Sequence, residues 1–575
     1  MILLKAMKKL FLIGLSLYLS LTPLSGHNQS PADRHQPHDF QASKAMVVAA
    51  HPLAVKAGVE ILRQGGNAID AAIATAAALN AAEPFASGIG GGGFMVIYLA
   101  QEKKVTVINF RERAPAAAQP TMFHLAGRLQ PKWRRTHGLA VAVPGALAGW
   151  NYALQKYGTL SLQKVFQPAI KIAETGFPVS STFSSINKDE YDKLLEMDGE
   201  NSCYLNQGFP FEPGDLFRNP ALAKTLRLVA KKGIKFFYKG ELAQKIVQAV
   251  QKKGGIMTLE DLASYQPLEV KPLRGTYKDY EIWTIPLPGS GGLHIIQLLS
   301  IFENLPLKKW GYLSPNYIHY FAEALRFIFA DRARYLGDPE FIKIPVAQLI
   351  SKKYAQKLIA KINPKKVAES YPSTDFSPPR HSNETTGNTT HLCVVDEQGN
   401  IVSLTQSINH FFGSGIVPEG TGFLLNNHMD DFSRNPNSPN APGSRRHPLS
   451  SMGPLILFHQ GKPFLVLGSP GGTRIFSSLT QIILNIVEFG LGLDEAIEAP
   501  RFFSYSLKGE VRPLFVEKRI PASVLDKLQQ MGHKISLRQA YDKYFGGAQG
   551  ILILPAGQGL RGGADSRRDG FGGGY

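Results

Sequence analysis

The chain has 575 residues, of which 44% are hydrophobic and 19% charged, with 33 Phe and 20 Tyr spread along it. This excludes a peptide hormone, a single small binding module and a disordered chain, and predicts a packed globular protein with a sizeable core. The net charge is +18, but the cations are dispersed and accompany no recognition motif, so nucleic acid is not an expected partner.

Lys5, Lys8 and Lys9 precede an apolar run over residues 10–21, followed by Thr22, Pro23, Ser25 and Gly26. These are the three regions of a secretory signal, which predicts export to the periplasm or medium and a mature chain starting near His27. The run is shorter than the ~20 apolar residues of a membrane span, although an uncleaved anchor is the competing reading. Residues 27–43 read as a loose polar leader, and the α/β pattern starts at residues 47–50. Helical spacing over residues 53–63 is stopped by Gly65 and Gly66, and Asn67 is placed to cap a second, Ala-rich helix over residues 68–82. Residues 94–99 and 105–110 read as a β-hairpin. Helical patterns dominate residues 150–365, notably 221–232, 294–303 and 317–335, before a polar connector rich in Pro, Ser, Thr and Asn over residues 363–388. Short strands follow at 389–396, 401–407, 454–459 and 464–469, then a helix at 474–489 and a Gly-rich end. The two cysteines, Cys203 and Cys393, are too few for a disulfide framework or a zinc site, and no metal or cofactor is expected.

The run Gly88 to Gly93 formally fits the dinucleotide pattern G-x-G-x-x-G. Its context is inverted, with a helix before it and a strand after it, so the glycines are expected to allow close approach of another chain segment or a ligand. Gly471 and Gly472 are better placed for chemistry, between a strand and a helix, where backbone amides stabilise a phosphate or a developing oxyanion. No P-loop lysine accompanies them, which favours the oxyanion over a phosphate; a plain tight turn is the alternative. In the hairpin around Gly399, a three-residue loop of Glu397, Gln398 and Gly399 makes paired positions sum to 796, so that Thr389 faces Ser407 at hydroxyl-to-hydroxyl distance. A two- or four-residue loop would make the sum 797 and separate them, so the pairing depends on the loop.

Asn388-Thr389-Thr390-His391 at the end of the connector, followed by that hairpin, resembles the processing site of the γ-glutamyltranspeptidases, a family of N-terminal nucleophile hydrolases. Further blocks carry the resemblance through the chain: His51 to Ala54, Gln64 to Ala68, Phe110-Arg111-Glu112, Gly291 to His294, Ala330-Asp331-Arg332, Leu424 to Phe432 and Pro448 to Met452. The resemblance implies a four-layer αββα sandwich and a precursor that cuts itself between Asn388 and Thr389. The products would be a large subunit, residues 27–388, and a small subunit, residues 389–575. It implies a γ-glutamyltransferase and glutathione hydrolase, with glutathione and related γ-glutamyl compounds as donors and water, amino acids or peptides as acceptors. Thr389 would carry the γ-glutamyl ester, Ser407 and Asn409 would orient it, and Gly471 and Gly472 would hold the oxyanion. Arg111, Ser450 and Ser451 would bind the donor α-carboxylate, and Asp431, with His428 beside it, the α-ammonium.

Three departures from the family pattern stand out. Ser407 occupies a position where Thr is common, His428 one where Gln or Glu is usual, and the segment between Asp431 and Ser450 is too short for a lid. A protonated His428 would repel the substrate ammonium, and a missing lid predicts an open site. Both leave room for a glutaryl-type β-lactam side-chain acylase or a poly-γ-glutamate depolymerase on the same scaffold. A catalytically inactive basic binding protein is the rival from another class.

Overall fold

The hairpin expected around Gly399 forms, and it lies inside one of the two large sheets. Gly399 has φ +80°, its N–H donates to Asp396 O at 3.0 Å, and Thr389 pairs with Ser407, the register of the three-residue loop. The Asp396 carboxylate fastens the tip, accepting from the N–H groups of Gln398, Asn400 and Ala68. The computed structural model describes residues 38–368, 388–507, 510–511, 513–555 and 557–575. The signal segment, residues 1–26, and most of the connector, residues 369–387, lie outside the described residues.

Fourteen strands make two sheets: β1 (Asp39–Ala42), β2 (Met46–Ala49), β3 (Gly92–Leu99), β4 (Lys104–Phe110), β5 (Leu268–Val270), β6 (Leu273–Tyr277), β7 (Tyr280–Thr284), β8 (Asn388–Val395), β9 (Ile401–Asn409), β10 (Leu455–His459), β11 (Lys462–Gly468), β12 (Gln549–Ile553), β13 (Leu560–Ala564) and β14 (Phe571–Gly574). One seven-stranded sheet runs β14-β2-β8-β9-β3-β4-β5 and the other β1-β13-β12-β11-β10-β7-β6, with antiparallel pairing throughout both.

Strand alternation explains the layering. In the first sheet Val47, Met95, Leu392 and Val402 face the helices α1 (Pro52–Arg63) and α2 (Ala68–Ala82), while Val48, Val96, Cys393 and Ile401 face the second sheet. In the second sheet Ile456 and Val466 meet that inner core, whereas Leu455, Leu457 and Leu465 pack under α3 (Ser290–Phe302), α4 (Pro315–Tyr335) and α5 (Ile475–Val487). The result is an αββα sandwich. Alanine on α2 lets that helix lie close to the sheet, and the helix begins where Asn67 predicts: its side chain accepts from Ile69 N and Asp70 N, and Asp70 accepts from Asn67 N.

One expectation is corrected and two are extended. Residues 39–42, read as leader, form β1 against β13. The helix-rich middle also supplies β5, β6 and β7, short strands whose half-exposed patterns carry little apolar alternation. The Gly-rich end is β14, an edge strand on β2, closed by Tyr575 O accepting from Lys44 N at 2.8 Å. Cys203 and Cys393 are both free thiols.

Candidate active site

β8 and β9 bring Asn388, Thr389, Ser407 and Asn409 together through an irregularity in their pairing. Thr389 opposes Ser407 but Asn388 opposes Asn409, so Ile408 is an extra residue and the peptide bond before Thr389 sits at a β-bulge. Asn409 adopts φ +75°, a left-handed conformation that Asn tolerates better than most side chains. The bulge turns three groups onto one hydroxyl. Thr389 Oγ1 donates to Ser407 Oγ at 3.3 Å, Asn409 N donates to the same oxygen at 2.8 Å, and Ser407 Oγ donates to Asn388 O at 2.5 Å. Asn409 Nδ2 donates in turn to Asn427 O at 3.0 Å. Thr389 is 4% exposed and Ser407 1%.

The glycines before β3 serve this strand. A Cβ on Gly91 would lie 2.0 Å from Ser407 O and one on Gly93 2.2 Å from Thr405 O, so only glycine lets β3 and its approach lie against β9. Close approach of another segment is the role read for them in the sequence.

A cavity of about 210 Å³ opens beside Thr389. Eight of the ten residues singled out for catalysis or substrate binding line it: Thr389, Ser407, Asn409, His428, Asp431, Ser450, Ser451 and Gly472. Gly471, φ +130°, precedes the lining residue Gly472, φ +56°, in the turn from β11 into a short 3-10 turn and then α5. Arg111 is placed differently. It is fully buried and its donors are engaged: Nε on Pro448 O at 3.1 Å, Nη1 on Glu112 Oε2 at 3.2 Å and Nη2 on Asp431 Oδ2. The guanidinium therefore stands behind Asp431 rather than on the cavity wall.

His428 gains a partner that its sequence position did not reveal. Its Nδ1 lies 2.7 Å from Glu112 Oε1, both side chains being almost wholly buried. Glu112, which also takes Arg111 Nη1 at 3.2 Å, is thus shared between the imidazole and the guanidinium. The neighbouring Asp430 anchors the turn that carries His428 and Asp431. Burial works against its charge, yet Arg134 at 2.7 Å, His410 at 2.9 Å and Arg135 at 3.3 Å hold its carboxyl well below the ordinary range. Residues 433–440 fold into tight turns at the cavity edge, where Asn440 Nδ2 donates to Asp431 O at 2.8 Å and Asn440 Oδ1 accepts from Leu449 N at 3.1 Å.

Sequence reasoning missed a second buried group at the expected cleavage position. Arg568 Nη2 donates to Asn388 Oδ1 at 3.4 Å and Nη1 to Glu83 Oε1 at 3.2 Å. Burial raises the Glu83 carboxyl to about 7, outweighing the lowering by Arg568. Residues so far apart in the chain leave no local pattern to read; only the fold joins them.

The family model for gamma-glutamyltranspeptidase matches residues 54–575. The glutathione hydrolase proenzyme of Escherichia coli (strain K12) is 40% identical over 542 residues, which cover 92% of this chain and 91% of that protein. The acylase ACY 1 proenzyme of Pseudomonas sp. (strain SE83) is 39% identical over 537 residues, covering 92% and 93%. Among solved structures, the cephalosporin acylase from Bacillus halodurans matches with a TM-score of 0.84 at 31% identity, over 97% of this chain and 99% of that one. A threonine at the head of an inner strand of an αββα sandwich, and a family match running from α1 to the last residue, lead to one conclusion: the chain belongs to the gamma-glutamyltranspeptidase family.

Proposed function

We propose that this chain is a self-processing γ-glutamyltransferase and glutathione hydrolase, which cuts itself before Thr389 and then cleaves γ-glutamyl amide bonds through an ester on Thr389. The observation that carries the processing step is the hydroxyl chain Thr389 to Ser407 to Asn388 O. Attack of Thr389 Oγ1 on the Asn388 carbonyl carbon places negative charge on the oxygen to which Ser407 already donates. Collapse breaks the bond to the Thr389 nitrogen, which takes up the proton given up by Oγ1, and leaves an ester between Asn388 and Thr389 Oγ1 with the α-amine already free. Water then hydrolyses that ester to an Asn388 carboxylate and the Thr389 hydroxyl.

That amine is the general base of turnover, since an α-amino group titrates near 7.7 to 8.0. It accepts the Thr389 hydroxyl proton as Oγ1 attacks the donor's γ-carbonyl, and returns it to the leaving amine. Gly471 and Gly472 amides stabilise the tetrahedral oxyanion, and Ser407 and Asn409 orient the nucleophile. The acyl group leaves to water, an amino acid or a peptide. The donor's zwitterionic end matches the Arg111–Asp431 pair: an arriving ammonium draws Asp431, releasing one arm of Arg111 for the α-carboxylate beside Ser450 and Ser451. The amino-terminal charge and apolar pattern supports export, with large and small subunits divided at residue 388.

A second reading, a glutaryl-type acylase, is favoured by His428 in the ammonium corner and by the acylase relatives. Rates on a γ-glutamyl anilide and a glutaryl anilide decide between the two. The Thr389→Ala variant should stay full length and inactive on both, whereas a processed, active Thr389→Ala protein would refute the nucleophile assignment.

A further inference from the structure

We propose that Arg332 is a second carboxylate-binding residue of the donor pocket, acting from α4 in addition to Arg111 and together with Ser450 and Ser451. The inference rests on the γ-glutamyl reading and extends it. Arg332 lies on α4, is 8% exposed and lines the cavity. Its guanidinium has five donors, of which the structure engages one: Nη1 donates to Ser290 Oγ. Among the described residues no carboxylate lies within ion-pair distance of it. Burial draws its pKa down to about 10, with Asp431 opposing the shift and Arg111 adding to it, so both ends of the zwitterion corner act on this cation.

Four neighbouring arginines are already held by protein groups. Arg134 and Arg135 hold Asp430, Arg111 holds Glu112 and Asp431, and Arg474 donates to Tyr544 O and covers the Tyr544 ring at 4.5 Å. A guanidinium that is buried, has donors to spare and borders a cavity matches a planar anion entering that cavity. Its anchor fixes which one. Ser290 Oγ donates to Ser450 O at 2.7 Å, so Arg332 is one hydrogen-bonded step from the seryl pair on the same wall. A γ-glutamyl or glutaryl donor carries one carboxylate at its far end, and there Arg332 supplies the second arm of the clamp.

Three anilides test this: γ-glutamyl, with carboxylate and ammonium; glutaryl, with the carboxylate alone; and 4-aminobutyryl, with the ammonium alone. Competitive inhibition by glutarate and by 4-aminobutyrate reads binding where turnover is slow. Arg332→Gln should raise KM about 10- to 100-fold for both carboxylate-bearing donors, and the inhibition constant of glutarate likewise, and so shrink their advantage over the 4-aminobutyryl donor. Arg332→Lys should recover part of that loss. Self-cleavage into two fragments is the folding control, and if Arg332→Gln fails it, Ser290→Ala, which frees the guanidinium from its anchor, should show the same carboxylate-selective rise in KM. Equal losses on all three donors, or no loss on the carboxylate donors, would overturn the proposal. A wild type that turns over neither γ-glutamyl nor glutaryl anilide would instead overturn the functional reading beneath it.

Discussion

Ser407→Ala isolates the one hydroxyl on which the proposed self-cleavage converges. The substitution removes the donor at 2.5 Å from Asn388 O and the acceptor of both Thr389 Oγ1 and Asn409 N. In the ground state the cost is that of disturbing buried hydrogen bonds, about 1 to 3 kcal/mol for a group left unsatisfied. The cost in the transition state is larger, because Asn388 O gains charge as Thr389 attacks, and loss of one donor to such an oxyanion is worth about 2.7 to 4 kcal/mol. The half-time of conversion from one band to two on a denaturing gel should therefore lengthen about 100- to 1,000-fold. Ser407→Thr keeps the hydroxyl and should stay within about tenfold of the wild type, one decade being about 1.4 kcal/mol. If Ser407→Ala matures at the wild-type rate, or Ser407→Thr is as slow as Ser407→Ala, the hydroxyl does not act on the scissile carbonyl.

Gly471→Ala places a Cβ 3.1 Å from Gly546 Cα at φ +130°, so the turn that presents Gly472 must shift; kcat should fall about 100-fold with a smaller change in KM, and an unchanged kcat would remove this turn from the oxyanion site. Glu83, raised by burial to about 7 from 4.5, stays protonated in the folded chain where the unfolded chain has already lost its proton. The Glu83 contribution to stability should be full below pH 4.5 and decline as pH rises to about 7, by roughly 3 kcal/mol at 1.36 kcal/mol per pH unit. In Glu83→Gln this decline should vanish from urea midpoints measured across that range, and parallel curves for the two proteins would show that Glu83 titrates normally.

The hairpin was legible because every determinant is local: Gly399 sets the loop, the loop sets the register, and the register faces Thr389 with Ser407. The start of α2 was legible for the same reason, an Asn cap and an Asp within one turn. The bulge at Ile408 was not, because it answers to contacts outside the hairpin, Ile408 N to Ala86 O and Asn427 N to Ile408 O. Arg111 was read as facing the substrate, yet whether a guanidinium faces a cavity or a carboxylate depends on partners 320 and more positions away. Arg332 stood in a recognised block, but nothing in that block tells a helix-surface arginine from one turned into a pocket. β14 was hidden for a compositional reason: glycine alternates with glycine and offers no two-faced pattern, while the neighbours that require it, Phe40 and Ala45 among them, lie at the other end of the chain.

The order of strands has a consequence for how the molecule is made and lost. Cutting before Thr389 would divide both sheets between two polypeptides, with β8 and β9 of one lying between β2 and β3 of the other, and β10 to β13 lying between β1 and β7. Neither fragment then holds a complete sheet, so folding has to precede the cut. The uncut chain refolds at a rate independent of its concentration, because the missing strands are always tethered nearby. Once cut, the same reunion becomes a bimolecular encounter that slows with dilution and competes with association of exposed strand edges. Maturation at that bond would thus turn a single-chain fold into a kinetically trapped one, with a lifetime set by the rate of opening rather than by any equilibrium with its separated parts.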